Sequence, residues 1–271
     1  MVIEYAYSKI NLALEVMDLV NGYHMVNNLM IPITLHDEVI LEESETIYMV
    51  DNYINDNICI KAAKLFMEYY KLNKGVKITL IKHIPLAAGL AGGSTDAAAV
   101  LKGLAKLYRV NASKSELEEI ASKLGSDVPF FIGNSLAMCT GRGEKINPIE
   151  FRRLPIDFVL VKPLVGLSTQ LVYQNYKYNP IDRTKNIKNI YKALEDNDIE
   201  LLQNNIFNDL GSVALSLNSD MKELYDRLTL AGARVFVSGS GPTMFIFNKS
   251  YEDIKNIIND EKVFVFAAQT K

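Results

Sequence analysis

The chain has 271 residues, 49% of them hydrophobic and 23% charged, with a formal net charge of -3 at pH 7. This is ordinary globular composition, and the slight acidic excess argues against a nucleic-acid binder, which carries a basic one. No apolar run reaches membrane-spanning length, and Met1-Val2-Ile3-Glu4-Tyr5 lacks the basic start and apolar stretch of a secretory signal, so a cytoplasmic protein with neither membrane nor nucleic-acid partner is expected.

Residues 1–50 read as strands: Ile31–Leu35 and Val39–Glu43 fit extended structure, with turns at Asn21-Gly22 and at His36-Asp37-Glu38. Residues 58–72 carry Ala62, Ala63, Phe66, Tyr69 and Tyr70 at helical spacing. Val76–Ile81 alternates like a strand and leads into Pro85-Leu86-Ala87-Ala88-Gly89-Leu90-Ala91-Gly92-Gly93-Ser94-Thr95. The helix after it buries Ala97, Val100, Leu101, Leu104 and Tyr108. Ser113-Lys114-Ser115-Glu116 is a capping-box pattern. Gly125 is placed to end that helix, and Ser126 to cap the next.

The pattern changes around Pro148–Pro155, which suggests two domains, 1–152 and 153–271. Asp157–Val161 reads as a strand, 165–185 as a long loop with short helices, and 189–229 as mostly helical. Arg234–Val237, the glycine turn Ser238-Gly239-Ser240-Gly241-Pro242 and Thr243–Phe247 read as strand, turn, strand. A helix near 251–259 and a strand at 263–266 close the chain. Helices and strands mix without a regular βαβ rhythm, so the expected class is α+β. Cys59 and Cys139 read as reduced, buried thiols. His24, His36 and His83 form no cluster with them, so no structural zinc is expected.

The small residues of 85–95 allow a tight backbone curl whose N–H groups approach a ligand closely. The following helix turns its positive end toward the same place, which suits a phosphate chain. The stretch is neither a P-loop nor a GxGxxG motif. By composition alone it could also pack a helix close to a sheet. Ser94 and Thr95 can bond phosphate, coordinate Mg²⁺ or cap the helix. Asp96 reads as a favourable helix-start charge, Arg142 as part of a hairpin tip, and Lys185–Lys192 as a solvated face. His36 and His83 are assigned no role.

Pro-x-x-x-Gly-Leu-x-Gly-Gly-Ser-Thr resembles the ATP-binding motif of the GHMP kinases, the superfamily of galactokinase, homoserine kinase and mevalonate kinase. Ala6-Tyr7-Ser8-Lys9-Ile10-Asn11-Leu12 resembles its first motif, and Ser238–Thr243 its third. Within the superfamily, one family fits closely, the kinases of 4-diphosphocytidyl-2-C-methyl-D-erythritol. Asn21-Gly22-Tyr23-His24 resembles their Asp-Gly-Tyr-His, with Asn21 in place of Asp. Gly125-Ser126-Asp127-Val128-Pro129-Phe130-Phe131 resembles their catalytic Gly-Ala/Ser-Asp-Val-Pro-Phe.

The resemblance implies a two-domain fold, ribosomal protein S5 domain 2-like then ferredoxin-like, with the site in the cleft. It implies ATP on 85–95 as co-substrate with Mg²⁺, for which Ser94 is a candidate ligand, and transfer to the 2-hydroxyl of the cytidyl substrate in non-mevalonate isoprenoid precursor synthesis. Lys9 and Asp127 would be catalytic. Tyr23 would stack on cytosine, His24 would hydrogen-bond it, and Tyr173 would cover its other face. Thr169 would touch the substrate phosphates, and Asn11 is a candidate contact to the polyol. Taken alone, each of these residues also fits an ordinary structural place, and another GHMP kinase or a non-catalytic ligand-sensing relative stays open.

Overall fold

The computed structural model describes residues 1–50, 57–150 and 155–271. The expected domain boundary at 152/153 lies outside the described residues. Two long strands, β1 (Val2–Val20) and β2 (Tyr23–Ser44), are joined by Asn21-Gly22. Both turn residues have positive φ, 52° and 81°, the requirement of a two-residue type I′ hairpin and the reason Asn-Gly sits there.

The expected turn at His36-Asp37-Glu38 is not formed; β2 runs through it. Asp37 is fully buried, accepting from the backbone N–H of His83 at 2.5 Å and of Ile84 at 2.7 Å and pairing with Lys82. A polar triplet that looks like a surface turn is thus a carboxylate satisfied inside the protein. The irregularity falls just before it, where the register jumps from Tyr7↔His36 to Lys9↔Pro32. Pro32 cannot donate to a regular ladder, and a bulge accommodates it.

The first half continues through β3 (Ile47–Met49), α1 (Ile58–Tyr69), β4 (Gly75–Ile81), α2 (Gly92–Leu107), α3 (Lys114–Ser122), α4 (Val128–Gly133), β5 (Ala137–Thr140) and β6 (Lys145–Pro148). The capping box of α3 is formed by Ser113 and Glu116 as expected. Ser126, however, does not cap α4: Asp127 takes the N-cap position, without a side-chain capping bond. Tyr108 is the C-cap of α2 and only half-buried, its hydroxyl donating to Gly75 O. Helices α1–α4 bury Phe66, Val100, Leu101, Leu104, Phe130 and Phe131 against the sheet, beside Leu41 and Ile78.

The second half runs β7 (Asp157–Pro163), α5 (Thr169–Asn175), α6 (Thr184–Asp196), α7 (Ile199–Gln203), β8 (Phe207–Asn208), α8 (Gly211–Leu217), α9 (Ser219–Leu230), β9 (Val235–Val237), β10 (Met244–Ile246), α10 (Tyr251–Ile258) and β11 (Val263–Gln269). Its sheet has the order β11-β7-β10-β9, each pair antiparallel. Counted along the chain this is fourth-first-third-second, the ferredoxin-like order. Both faces of β7 are covered: Phe158 and Leu160 join one core, Val159 and Val161 the other. That accounts for its uninterrupted apolar run.

The core containing Phe158 and Leu160 also holds Ile10 and Leu12 of β1, Ile31 of β2 and Leu90 of the glycine-rich loop. The first sheet has the order β3-β4-β2-β1-β8, with the β5–β6 hairpin attached to β2. Its last strand comes from the second half and pairs parallel with β1 through Ala13↔Phe207 and Leu14↔Asn208.

Candidate active site

A cavity of about 970 Å³ lies where the two halves meet. Its floor is the segment between β4 and α2. Ala87, Gly89 and Ala91 all have positive φ, 48°, 73° and 57°. Alternation of this kind turns successive N–H groups to one side and makes an anion-binding hollow. The chain then enters α2 at Gly92, with Ala91 as N-cap and no side chain capping the first N–H groups. Those amides and the helix dipole are left for a ligand. Pro85 to Gly89, Ala91, Gly92, Gly93 and Ser94 line the cavity.

Two residues of the expected ATP motif do not line it. Leu90 is 1% exposed and packs in the shared core. The Thr95 hydroxyl donates to Tyr7 O at 2.8 Å and pins α2 to β1. Asp96 does more than charge a helix start: it is buried and paired with Lys82 at 2.7 Å. Burial pushes its carboxyl up to about 7, with Lys82 opposing and the nearby Asp37 adding to the rise. Burial also disfavours the Lys82 ammonium, but Asp96 and Asp37 outweigh that and hold its pKa above the ordinary value.

Lys9 and Asp127, 118 positions apart in sequence, share this cavity. Lys9 is 4% exposed on β1, and its Nζ donates to Asn11 Oδ1 at 2.7 Å and to Gly89 O at 2.8 Å. Burial lowers its pKa, while Asp127 and then Cys139 pull the other way. Asn11 in turn donates from Nδ2 to Asn28 Oδ1 at 2.6 Å. The third glycine motif closes on the same group: Ser238 Oγ donates to Gly89 O at 3.2 Å and reaches Asn11 Oδ1 at 3.4 Å. A Cβ on Gly239 would sit 3.2 Å from Lys9 Nζ. The three motifs, far apart in the chain, thus meet around one ammonium.

His24 also lines the cavity, with Tyr173 at 5.9 Å and Tyr176 at 5.7 Å between ring centroids, and its Nδ1 lies 3.1 Å from Met17 O. Burial first, and then the Asp127 charge, raise the Tyr173 pKa, so its hydroxyl stays protonated. Tyr23 is 58% exposed, with the Arg142 guanidinium over its ring at 5.0 Å. Thr169 Oγ1 and Ser240 Oγ are 2.8 Å apart.

Arg142 does lie on the turn between β5 and β6, as expected, but that tip also lines the cavity. Lys82, Asn28, Tyr176 and Gln174 line it too, although the sequence gives them no role. Only Tyr176 had a signal, three residues after Tyr173. The two cysteines are buried and unpaired, as expected. No helix among the described residues is long and apolar enough to cross a membrane.

Family models place this geometry. The GHMP kinases N terminal domain matches residues 57–134, and the GHMP kinases C terminal domain matches 190–260. A 4-diphosphocytidyl-2-C-methyl-D-erythritol kinase of Acetivibrio thermocellus is 40% identical over 266 residues, covering 93% of this chain and 94% of that protein. One from Clostridium novyi is 37% identical, covering 94% and 96%. The crystal structure of a 4-(cytidine 5'-diphospho)-2C-methyl-D-erythritol kinase superposes with a TM-score of 0.83 at 29% identity, covering 99% of each chain. With its motifs gathered around one cavity and its likeness running the length of the chain, the protein belongs to the GHMP kinases, in the 4-diphosphocytidyl-2-C-methyl-D-erythritol kinase family.

Proposed function

We propose that this enzyme transfers the γ-phosphoryl group of Mg-ATP to the 2-hydroxyl of 4-diphosphocytidyl-2-C-methyl-D-erythritol. The observation that carries the reading is the placement of Lys9 and Asp127 in one cavity beside the glycine-rich floor. Asp127 is the acidic side chain on that wall. It accepts the proton of the hydroxyl as the oxygen bonds to phosphorus and the bond to the β-phosphate oxygen breaks, leaving ADP and a phosphate monoester. Lys9, held by Gly89 O and Asn11 Oδ1, keeps a positive charge beside the reacting oxygens.

ATP arrives with its Mg²⁺, an ion that prefers oxygen ligands and keeps several waters. The Ser94 hydroxyl suits it, since it lines the cavity at the start of α2. The N–H groups of Gly92 and Gly93 serve the phosphates. Tyr23, His24 and Tyr173 hold the cytosine by stacking and by a hydrogen bond from the imidazole. Thr169 meets the diphosphate and Asn11 the polyol. The region before 152 then supplies the nucleotide floor and the base, and the region after it the Tyr173 wall and the third glycine turn. The test is ADP release from purified protein with Mg-ATP and a panel of alcohols: the diphosphocytidyl polyol, homoserine, mevalonate and galactose. Release is expected with the first alone, and release driven by another acceptor overturns the assignment.

A further inference from the structure

Asn28 has no role by spacing or by resemblance, yet it is 7% exposed in the wall of the cavity. It lies on β2, paired with Cys139 of β5. Its neighbours impose a polarity on it. An ammonium only donates, so the Asn11 atom 2.7 Å from Lys9 Nζ is Oδ1. The Asn11 Nδ2 is therefore turned the other way, and Asn28 Oδ1 receives it at 2.6 Å. Besides Lys9, Ser238 Oγ is the hydrogen-bond donor to Asn11 Oδ1 among the described residues, and at 3.4 Å that bond is long.

We propose that Asn28 is a positioning residue for phosphoryl transfer: by receiving the Asn11 amide nitrogen it keeps the Asn11 oxygen on Lys9 and so keeps that lysine charged and in place. The inference rests on the role given to Lys9 above. Without an acceptor at position 28, the Asn11 amide is held in its present orientation by the Lys9 bond and the long Ser238 contact alone, with its own N–H groups left unpaired in the buried wall. Rotated, it presents its own N–H groups to a buried ammonium, which disfavours the charged form. Burial already lowers the Lys9 pKa, and the ionisable groups facing it are Asp127 at the start of α4 and the Cys139 thiol on β5. The dipole of Asn11 is thus one of few groups supporting the charge.

Two variants of nearly the same size separate this role from simple packing. Asn28→Leu removes the acceptor. Asn28→Asp keeps an oxygen there and adds a negative charge that favours the ammonium. The full chain is assayed with Mg-ATP and the diphosphocytidyl polyol, following kcat and KM across about pH 6 to 10. Asn28→Leu is expected to lower kcat about tenfold, as for loss of one charge-assisted bond, and to move the alkaline limb of the profile to lower pH. Asn28→Asp is expected to move that limb to higher pH, with the KM for ATP within about twofold of wild type in both.

Limbs that stay put, or that move together, overturn the proposal. If Asn28→Leu does not fold, the upward movement in Asn28→Asp decides alone, and its absence refutes the idea. A wild-type chain inactive on this acceptor would overturn the function itself. An active wild type with unmoved limbs overturns only the role of Asn28.

Discussion

Gly89 packs the floor of the cavity directly against the third glycine turn, and Gly89→Ala probes that approach. A methyl group there would lie 2.5 Å from Ser238 O and 2.7 Å from Gly241 O, both backbone atoms that cannot swing aside. Backbone conformation alone is not the obstacle, because Ala87 and Ala91 hold positive φ in the same loop. An alanine in the left-handed region costs about 1–2 kcal/mol. Forcing a methyl against packed atoms costs about 1–3 kcal/mol more. The expected loss is about 2–5 kcal/mol, a large part of the roughly 5–15 kcal/mol that holds a domain folded. Gly22→Ala is the control: φ is +81° and nothing lies within 4 Å of the added carbon, so only the conformational cost of about 1–2 kcal/mol applies. Urea unfolding measures both, read from midpoints at constant slope. A Gly89→Ala protein no less stable than Gly22→Ala would refute the reasoning. Because Gly89 O accepts from Lys9 and Ser238, the same variant should also raise the KM for ATP.

Asp127→Asn keeps the shape and removes the proposed base; turnover should fall by about a hundred- to ten-thousandfold while ATP binding, followed by calorimetry, is retained. Near-normal turnover would dismiss Asp127 as the proton acceptor. His24→Ala should raise the KM for the cytidyl acceptor by about tenfold, the weight of one hydrogen bond, with modest change for ATP, and an unchanged value would point to a different acceptor. Asp96 gives a pH prediction. Its carboxyl ordinarily titrates at 3.8 and is pushed up to about 7 in the fold. A raised folded value means stability that is present in full below the unfolded pKa and lost as pH climbs through the folded one. Between about pH 5 and pH 8 the wild type should therefore lose more stability than Asp96→Asn, and equal losses in urea titrations would count against the buried-carboxylate account.

Local signals made much of the fold legible. Asn21-Gly22 is a hairpin turn because both residues accept positive φ, and Ser113 with Glu116 is a capping box because residues three apart can each bond the other's backbone N–H. That the glycine-rich loop and Asp127 would share a cavity is legible because their small or charged residues stand in a recognisable order. Long-range satisfaction was not readable. Asp37 looked like a turn residue because nothing in its neighbourhood announces Lys82, 45 positions on. Asp96 looked like a helix-start charge for the same reason. Ser126 had the right chemistry for a cap, but α4 begins one residue later. Asn28 sits in a strand where an amide carries no periodic signature, and only the meeting of β1 with β2 gives it a partner.

The short strand β8 ties distant parts of the chain together. Within it, Asn208 Nδ2 donates to Val237 O and to Gly239 O, each at 2.8 Å, and the next residue, Asp209, receives the Val16 N–H at 3.0 Å. Two neighbouring residues thereby set the distance between the glycine turn and the strand bearing Lys9. A hybrid enzyme, grafting the later half of a relative onto the earlier half of this one, must therefore preserve that splice. If it does not, the Lys9 ammonium loses its alignment even when every motif is intact.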